Sequence, residues 1–267
     1  MSLYRELAPS RDLHALVACR WVREVPEDST STTTLVLPDG CVDLIWRDGE
    51  LILAGPDRSA NPTSNRPGRT IVGLRLRPGV AGSVLGMPAS EVLDGRFPLE
   101  DVLGTDAAEL AERIGEGGGE TVFERLEGLV ASRVKEAGPD PLVLAATRRL
   151  GFPGSRVEWL ADALGISERQ LLRRFHGAVG YGPKTLDRVL RFRRFVARAP
   201  AVAAGEEDLA RLAADLGYSD QSHMTRDCLR LSGMTPARLA RFWSASPSDR
   251  GHKRPPHKTA QGYAPRS

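Results

Sequence analysis

Two stretches in the C-terminal half of the sequence place side chains at i, i+3 and i+4, the spacing of one helix face. These residues are Arg169, Leu172 and Arg173 in the first stretch and Ser222, Thr225 and Arg226 in the second, with Gln221 beside them. Arginine bonds guanine O6 and N7 in a bidentate manner, glutamine pairs with adenine, and an apolar side chain contacts the thymine methyl group. Both stretches are therefore candidate readers of base edges; the alternative is a solvated polar helix face.

The elements that must position these residues form an internal repeat. The segment Leu160–Ser167 (LADALGIS) returns with small changes as Leu212–Ser219 (LAADLGYS). Each copy predicts a short helix with one apolar face, then a glycine suited to a sharp turn, then a capped second helix. This order is the signature of the helix-turn-helix, whose second helix enters the major groove of DNA.

Caps and basic residues flank the two predicted reading helices. Ser167 and Gln170 have the spacing of a capping box, and Asp220 is the better cap of the second helix. The apolar positions expected to be buried are Leu171, Phe175, Met224 and Cys228. Residues at the caps or beside the reading faces are expected to contact DNA phosphates, and these are Ser167, Arg174, Arg191 and Asp220.

Charge divides the chain into three parts. Residues 1–139 hold 15 Lys and Arg against 22 Asp and Glu, whereas residues 140–245 hold 17 against 11 and residues 246–267 hold 5 against 1. A basic second half suits a polyanionic partner, and double-stranded DNA is the obvious one. The last segment is rich in Pro, Gly, Lys and Arg, so we expect a disordered basic tail over residues 246–267.

The first part of the chain has the alternation and turns of β-structure. Strands are predicted over Thr32–Leu37, Cys41–Trp46, Leu51–Ala54 and Ile71–Leu76, with a loop over Gly55–Gly68 and a hairpin turn at Asp48-Gly49. Helices follow at Ala107–Ile114 and Thr121–Lys135. The run Gly138–Pro141 interrupts them, so the predicted domains are residues 1–137 and 141–243.

The C-terminal half resembles the AraC/XylS-type transcription regulators over residues 141–243. The residues that carry the resemblance are Leu160–Phe175, Gly180–Pro183, Arg191–Arg194, Leu212–Cys228 and Gly233–Pro236. It implies seven helices in which a long helix, about 184–198, joins two helix-turn-helix subdomains that meet successive major-groove segments. Met224 and Cys228 stand where the family usually has phenylalanine, which implies a core with less ring volume.

The N-terminal part resembles a β-rich domain of unassigned function that precedes such DNA-binding domains. The matching residues are Leu37–Trp46, Ala54–Pro56 and Gly73–Gly79. The resemblance implies that this cupin-like or small mixed β/α domain senses a small-molecule effector or mediates homodimerisation. Asp43, Trp46 and Arg75 are the candidate effector pocket; alternatively, Asp43 faces a polar surface or pairs with Arg75 or Arg77, and Asp39 is a turn residue.

The sequence lacks the residues that several classes of function require. Only His14 lies in the first 175 residues, which argues against a histidine-based metal site, and three separated cysteines argue against a disulfide framework. No catalytic constellation and no cofactor motif are found, and no apolar run suggests a membrane span or signal peptide.

The predicted fold class is therefore α+β: a β-rich domain followed by an all-α domain of two helix-turn-helix subdomains. The predicted function is that of a cytoplasmic bacterial transcription regulator without enzymatic activity, which contacts RNA polymerase if it is an activator. Two alternatives stay open. One is a small-molecule-binding protein or enzyme with a structural helical domain, and the other is an architectural DNA-binding protein without an effector.

Overall fold

The structure is a computed structural model that describes residues 3–29, 33–115, 119–152, 154–155 and 157–245. The segment predicted to be a disordered tail, residues 246–267, lies outside the described residues. The predicted order of a β-rich domain followed by a helical domain is confirmed. In the described part of the chain, no helix is both long and apolar enough to span a membrane.

The N-terminal domain is built on two antiparallel sheets. The large sheet has the order β1-β2-β7-β4-β5-β8, with strands Leu3–Leu7, Val17–Glu24, Thr70–Leu76, Val42–Arg47, Glu50–Ala54 and Arg96–Pro98. The small sheet pairs β3 (Thr33–Val36) with β6 (Asn61–Ser64). The latter strand lies within the segment expected to be a loop. The predicted hairpin turn joins β4 to β5, with positive φ at both Asp48 (55°) and Gly49 (88°).

Alternation along the strands gives the large sheet two different faces. Val42 and Leu44 of β4 belong to an apolar core, whereas Asp43 and Ile45 line a cavity on the other face. The core is completed by four helices, namely α1 (Ala81–Leu85), α2 (Glu100–Leu103), α3 (Thr105–Gly115) and α4 (Gly119–Glu136). The small sheet therefore lies over the other face of the large sheet, the face that carries the polar residues.

Seven α-helices make up the described C-terminal domain, the number that the resemblance implies. They are α5 (Pro141–Leu150), α6 (Leu160–Ala163), α7 (Glu168–Ala178), α8 (Pro183–Ala203), α9 (Leu209–Asp215), α10 (Gln221–Ser232) and α11 (Pro236–Ala245). Asp140 caps α5 by accepting a hydrogen bond from the Leu142 N–H at 2.9 Å, and Pro141 follows at the first helical position. The long helix α8 runs five residues beyond Arg198 to Ala203, with Pro200 in its last turn.

Candidate DNA interface and ligand cavity

The first reading helix, α7, begins at a turn and a cap that position its exposed face. Gly165 has φ +66°, which favours glycine. Ser167 accepts a hydrogen bond from Gln170 N at 3.2 Å, and the Gln170 side chain accepts one from Ser167 N at 2.9 Å. The predicted capping box is therefore present. Two orphan donors are satisfied, and the helix axis is fixed at its N-terminal end.

The two faces of α7 separate as the sequence predicts. Leu171 and Phe175 are buried in the helical core. Arg169, Leu172 and Arg173 are exposed on the opposite side, and Leu172 keeps 47% of its surface accessible although it is apolar. An exposed leucine between two arginines is suited to contact a thymine methyl group while its neighbours form hydrogen bonds.

The second reading helix, α10, repeats this arrangement with a different cap. Gly217 has φ +80°, and Asp220 accepts a hydrogen bond from His223 N at 2.6 Å. That hydrogen bond lowers the pKa of Asp220, which stays ionised as the helix cap. Met224 and Cys228 are fully buried. The predicted readers Gln221, Ser222 and Arg226 are exposed, while Thr225 is half-buried and its hydroxyl donates to Gln221 O at 2.9 Å.

The residues expected to contact phosphates differ in how far they are free to do so. Arg174 is partly exposed and pairs with Asp140 at 2.5 Å, so it links α7 to the start of α5. Arg191 is instead held inside the second unit, where it pairs with Asp187 at 3.2 Å, donates to Gly217 O at 3.3 Å and stacks over the Tyr218 ring at 4.9 Å. The structure therefore gives Arg191 a packing role, and Ser167 and Asp220 serve as caps.

An acidic residue that the sequence analysis missed fixes α10 on the linking helix. Asp227 is buried and pairs with Arg188 of α8 at 3.1 Å, and His223 approaches it at 3.8 Å. An acidic residue on the buried stripe of an amphipathic helix was the available signal. This ion pair therefore ties α10 to α8.

The cavity of the N-terminal domain lies between the two sheets and has a volume of about 130 Å³. The indole ring of Trp21, on β2, lies across Gly73 of the neighbouring strand β7 and forms the base of the cavity. A Cβ built on Gly73 would lie 2.2 Å from this ring. The indole Nε1 donates to Asp43 at 2.8 Å, and Arg75 lies 3.1 Å from the same carboxylate. Two of the three predicted pocket residues, Asp43 and Arg75, thus meet in the cavity wall.

The third predicted pocket residue lies elsewhere. Trp46 packs against the apolar core on the opposite face of the large sheet and does not line the cavity. The reason is the two-residue period of a strand, because residues 43 and 46 of one strand point to opposite sides. Trp21 supplies the aromatic surface instead. The signal for it was the alternation of Cys19, Trp21 and Arg23 in a strand that the sequence analysis did not delimit.

Burial shapes the electrostatics of the cavity. Desolvation raises the pKa of Asp43, although Arg75 opposes the shift. Desolvation likewise raises the pKa of Asp57, which pairs with Arg96 at 2.6 Å. The thiol of Cys41 is buried, which raises its pKa well above the usual value, so it is a weak nucleophile. Among the described residues, no group of His, Cys, Asp or Glu is arranged to hold a metal ion.

One wall of the cavity is also part of the contact between the two domains. Leu37 lines the cavity and belongs to the core of the helical domain. Asp39 lies 3.4 Å from Arg75, and its main-chain oxygen accepts a hydrogen bond from Arg193 of α8 at 3.5 Å. A Cβ on Gly40 would lie 2.8 Å from Leu186 of α8. We call the segment 37–41 the shared wall.

Comparisons with known proteins match two separate parts of the chain. Residues 160–241 match the family described as a helix-turn-helix domain, and residues 5–98 match a domain of unknown function, DUF6597. No curated protein matches the chain.

Among solved structures, the chain is similar to ToxT from Vibrio cholerae O395. The two are 12% identical over 91% of this chain and 97% of that chain, with a TM-score of 0.42. It is also similar to ToxT from Vibrio cholerae strain SCE256 bound to an unsaturated fatty acid, at 9% identity over 90% and 94% of the two chains and a TM-score of 0.37. Likenesses of this degree are too distant to bear on function.

Proposed function

Because this chain carries an AraC-type helix-turn-helix domain behind a domain of the DUF6597 family, we propose that it is a sequence-specific DNA-binding transcription regulator controlled by a small-molecule effector. One observation carries the proposal. Two capped helices, α7 and α10, stand on one linking helix and each keeps a polar face exposed. In an ordinary helical hairpin nothing requires the same glycine turn, cap and exposed face to occur twice.

The proposed contacts to DNA are of two kinds, namely contacts to base edges and contacts to phosphates. We assign base recognition to the exposed residues of the two helices, which are Arg169, Leu172, Arg173, Gln221, Ser222 and Arg226, with Thr225 at the margin. Arg174 and the N-terminal N–H groups of both capped helices hold phosphates. We assign no DNA contact to Arg191, because its guanidinium already pairs with Asp187, donates to Gly217 O and stacks over the Tyr218 ring.

Effector control is supported by the shared wall. A molecule in the cavity touches Leu37 and Asp39, and the same segment packs on α8, which joins the two reading units. Tyr181 stands behind this wall with its hydroxyl buried, and that hydroxyl has no hydrogen-bond partner among the described residues. A displaced wall can therefore gain a new bond to Tyr181 as it moves.

The N-terminal domain also touches both reading helices. A Cβ on Gly82 of α1 would lie 2.4 Å from the main-chain oxygen of Gly177 in α7, and Ala60 N donates to Leu231 O in α10 at 2.8 Å. One body, the N-terminal domain, thus contacts the C-terminal ends of both α7 and α10. We infer that a shift of this body changes the distance between the reading faces, and with it the affinity for a two-segment operator.

The test is binding of the purified protein to the DNA upstream of its own gene, against scrambled DNA, at ~0.15 M salt and in a salt titration. A specific-to-scrambled affinity ratio of about 10³ or more is the expected result. Equal affinities call for a genome-wide selection of bound fragments, which yields an operator elsewhere if the proposal holds. Failure to bind any DNA at low salt contradicts the proposal.

We also propose a cellular location and two protein partners. We place the protein in the cytoplasm, where its DNA is, and expect contact with RNA polymerase if it activates transcription. Homodimerisation through the N-terminal domain is expected to show as a doubled mass in light scattering at micromolar concentration.

A further inference from the structure

The size of the cavity limits its occupant. Its volume is about 130 Å³. An apolar cavity of about 150 Å³ holds one benzene molecule, so this slightly smaller cavity has room for about one six-membered ring. A long alkyl chain does not fit within it.

Five charged residues of the cavity wall pair with one another, whereas Arg23 donates a hydrogen bond to Thr34 and Arg47 adds a further positive charge to the lining. Arg75 contacts Asp43 at 3.1 Å, Asp39 at 3.4 Å and Glu6 at 3.6 Å, and Arg96 contacts Asp57 at 2.6 Å. A charged ligand must compete for one of these pairs, and separating a buried pair leaves an uncompensated charge. The wall therefore favours a ligand without net charge.

The floor of the cavity is flat and aromatic. The Trp21 indole lies across Gly73, and the Tyr4 ring stands 6.0 Å from it at 35°. Ile45 and Ile71 pack against the same cluster. Such a surface is complementary to a planar ring.

A buried hydroxyl on the small sheet, that of Thr34, supplies polarity at the opposite side of the cavity. Thr34 is 4% exposed, and its Oγ1 accepts hydrogen bonds from Arg23 Nη1 and from Asn65 Nδ2, both at 3.1 Å. Both lone pairs of this oxygen are then used, which leaves its proton to be donated. The complementary group on a ligand is a hydrogen-bond acceptor such as a carbonyl oxygen.

We propose that the cavity binds a small, uncharged, planar ring compound bearing a hydrogen-bond acceptor, of the class of aromatic amides. This rests on the proposed function, since it names the chemical class of the effector that the N-terminal domain senses. The Trp21 face stacks on the ring, Thr34 donates to the acceptor, and the ring edge presses on the shared wall.

Three probes of nearly equal shape test the charge preference: benzamide, benzoate and benzamidine. Titration calorimetry with the full chain, together with the NMR signals of the indole N–H groups, measures each affinity. Benzamide is expected to bind with a millimolar Kd and to shift the Trp21 signal, as suits a ligand of nine non-hydrogen atoms. Benzoate, benzamidine and the long-chain decanoate are expected to bind at least tenfold more weakly. A charged probe that binds as well as benzamide, or the failure of all four, overturns the proposal.

Two variants locate the site. Ala54 lines the cavity, so Ala54→Leu fills it and is expected to weaken benzamide binding at least tenfold, whereas Ala108→Leu on the exposed face of α3 leaves it unchanged. Thr34→Val removes the donor without changing the shape of the side chain and is expected to weaken benzamide more than benzene. It serves as the test if Ala54→Leu fails to fold. Unchanged benzamide affinity in the folded variants contradicts the site.

Binding of operator DNA by the same samples separates this proposal from the proposed function. Specific DNA binding without any bound probe overturns the ligand class alone. A bound probe without binding to any DNA at low salt overturns the regulator function and leaves the ligand site in place.

Discussion

At the scale of single residues, exposure decides which polar side chains on α7 and α10 are available to DNA. Arg173 is exposed on the reading face, whereas its neighbour Arg174 is turned toward Asp140. The two arginines are adjacent in sequence, so a comparison between them separates base recognition from phosphate contact.

Replacing Arg173 with alanine is expected to cost ~1–3 kcal/mol of binding, concentrated at one base position. The physical reason is the loss of a bidentate contact to one guanine. Competition binding with a set of single-base operator variants measures this. Equal weakening for every sequence would show that Arg173 contacts a phosphate.

The matched control, Arg174→Ala, is expected to weaken all sequences alike and to reduce the slope of log affinity against log salt by about one. A salt titration of each variant gives the slope. A change of base preference in Arg174→Ala would contradict the assignment of the two faces.

At the scale of the elements, the two turns before α7 and α10 depend on glycine. Gly217 has φ +80°, and no atom lies within 4 Å of a Cβ built there. A side chain at this position therefore meets no steric clash, and only the left-handed backbone conformation disfavours it. Gly217→Ala is expected to lower the free energy of unfolding by about 1–2 kcal/mol. Denaturant unfolding followed by circular dichroism measures the change.

Gly177 provides the control for this prediction. It lies within helix α7 and also has open space around its Cβ position. Gly177→Ala is expected to leave stability unchanged or to raise it by about 0.5–1 kcal/mol, because glycine weakens helices. Equal losses in both variants would refute the role of the left-handed turn.

Helix α4 is tied to the large sheet by a carboxylate whose ionisation affects stability. Burial alone raises the pKa of Glu127, yet hydrogen bonds from Arg20 and from Ser10 N outweigh it and leave the pKa lowered. A lowered folded-state pKa gives stability that is present above the unfolded value of 4.5 and is lost as pH falls through the folded value. Acid therefore weakens this tie.

Glu127→Gln is expected to lower the free energy of unfolding by about 1–3 kcal/mol at pH 7 and to flatten its decline as the pH falls below about 5. Urea unfolding at a series of pH values measures both effects. The exposed Glu124 on the same helix supplies the control, Glu124→Gln. A pH profile of Glu127→Gln parallel to that of the unmodified chain would exclude this contribution.

At the scale of the whole molecule, the shared wall joins the cavity to the linking helix. Gly40 has φ +82° and faces Leu186, whereas Gly49 has φ +88° and open space around it. Alanine at either position strains the backbone to a similar degree, but only Gly40→Ala brings a methyl group against α8. The pair therefore isolates the contact between the domains.

Gly40→Ala is expected to speed hydrogen exchange in α8 and to change operator affinity at least threefold, while Gly49→Ala changes neither. Both variants are expected to lose about 1–2 kcal/mol of stability to backbone strain, and Gly40→Ala is expected to lose more because its methyl group meets Leu186. Exchange followed by mass spectrometry and a DNA titration are the measurements. Identical hydrogen exchange and operator affinity in the two variants would show that the shared wall does not couple the N-terminal domain to α8.

The sequence by itself determined the helical half in detail. The glycine turns, the caps at Ser167 and Asp220, and the buried pairs Leu171–Phe175 and Met224–Cys228 follow from helix periodicity and capping, which act between residues a few positions apart. The structure places all of them as predicted. The hairpin at Asp48-Gly49 was predictable for the same reason.

Only the tertiary structure decided the cavity and its connection to the reading helices. Trp21, Gly73, Asp43 and Arg75 meet because β2 and β4 both pair with β7, and local sequence does not specify such pairings. The same holds for Arg191, whose partners come from its own helix and from a turn 26 residues away. A side chain's partners across the fold decide whether it faces DNA, fills a core or lines a cavity.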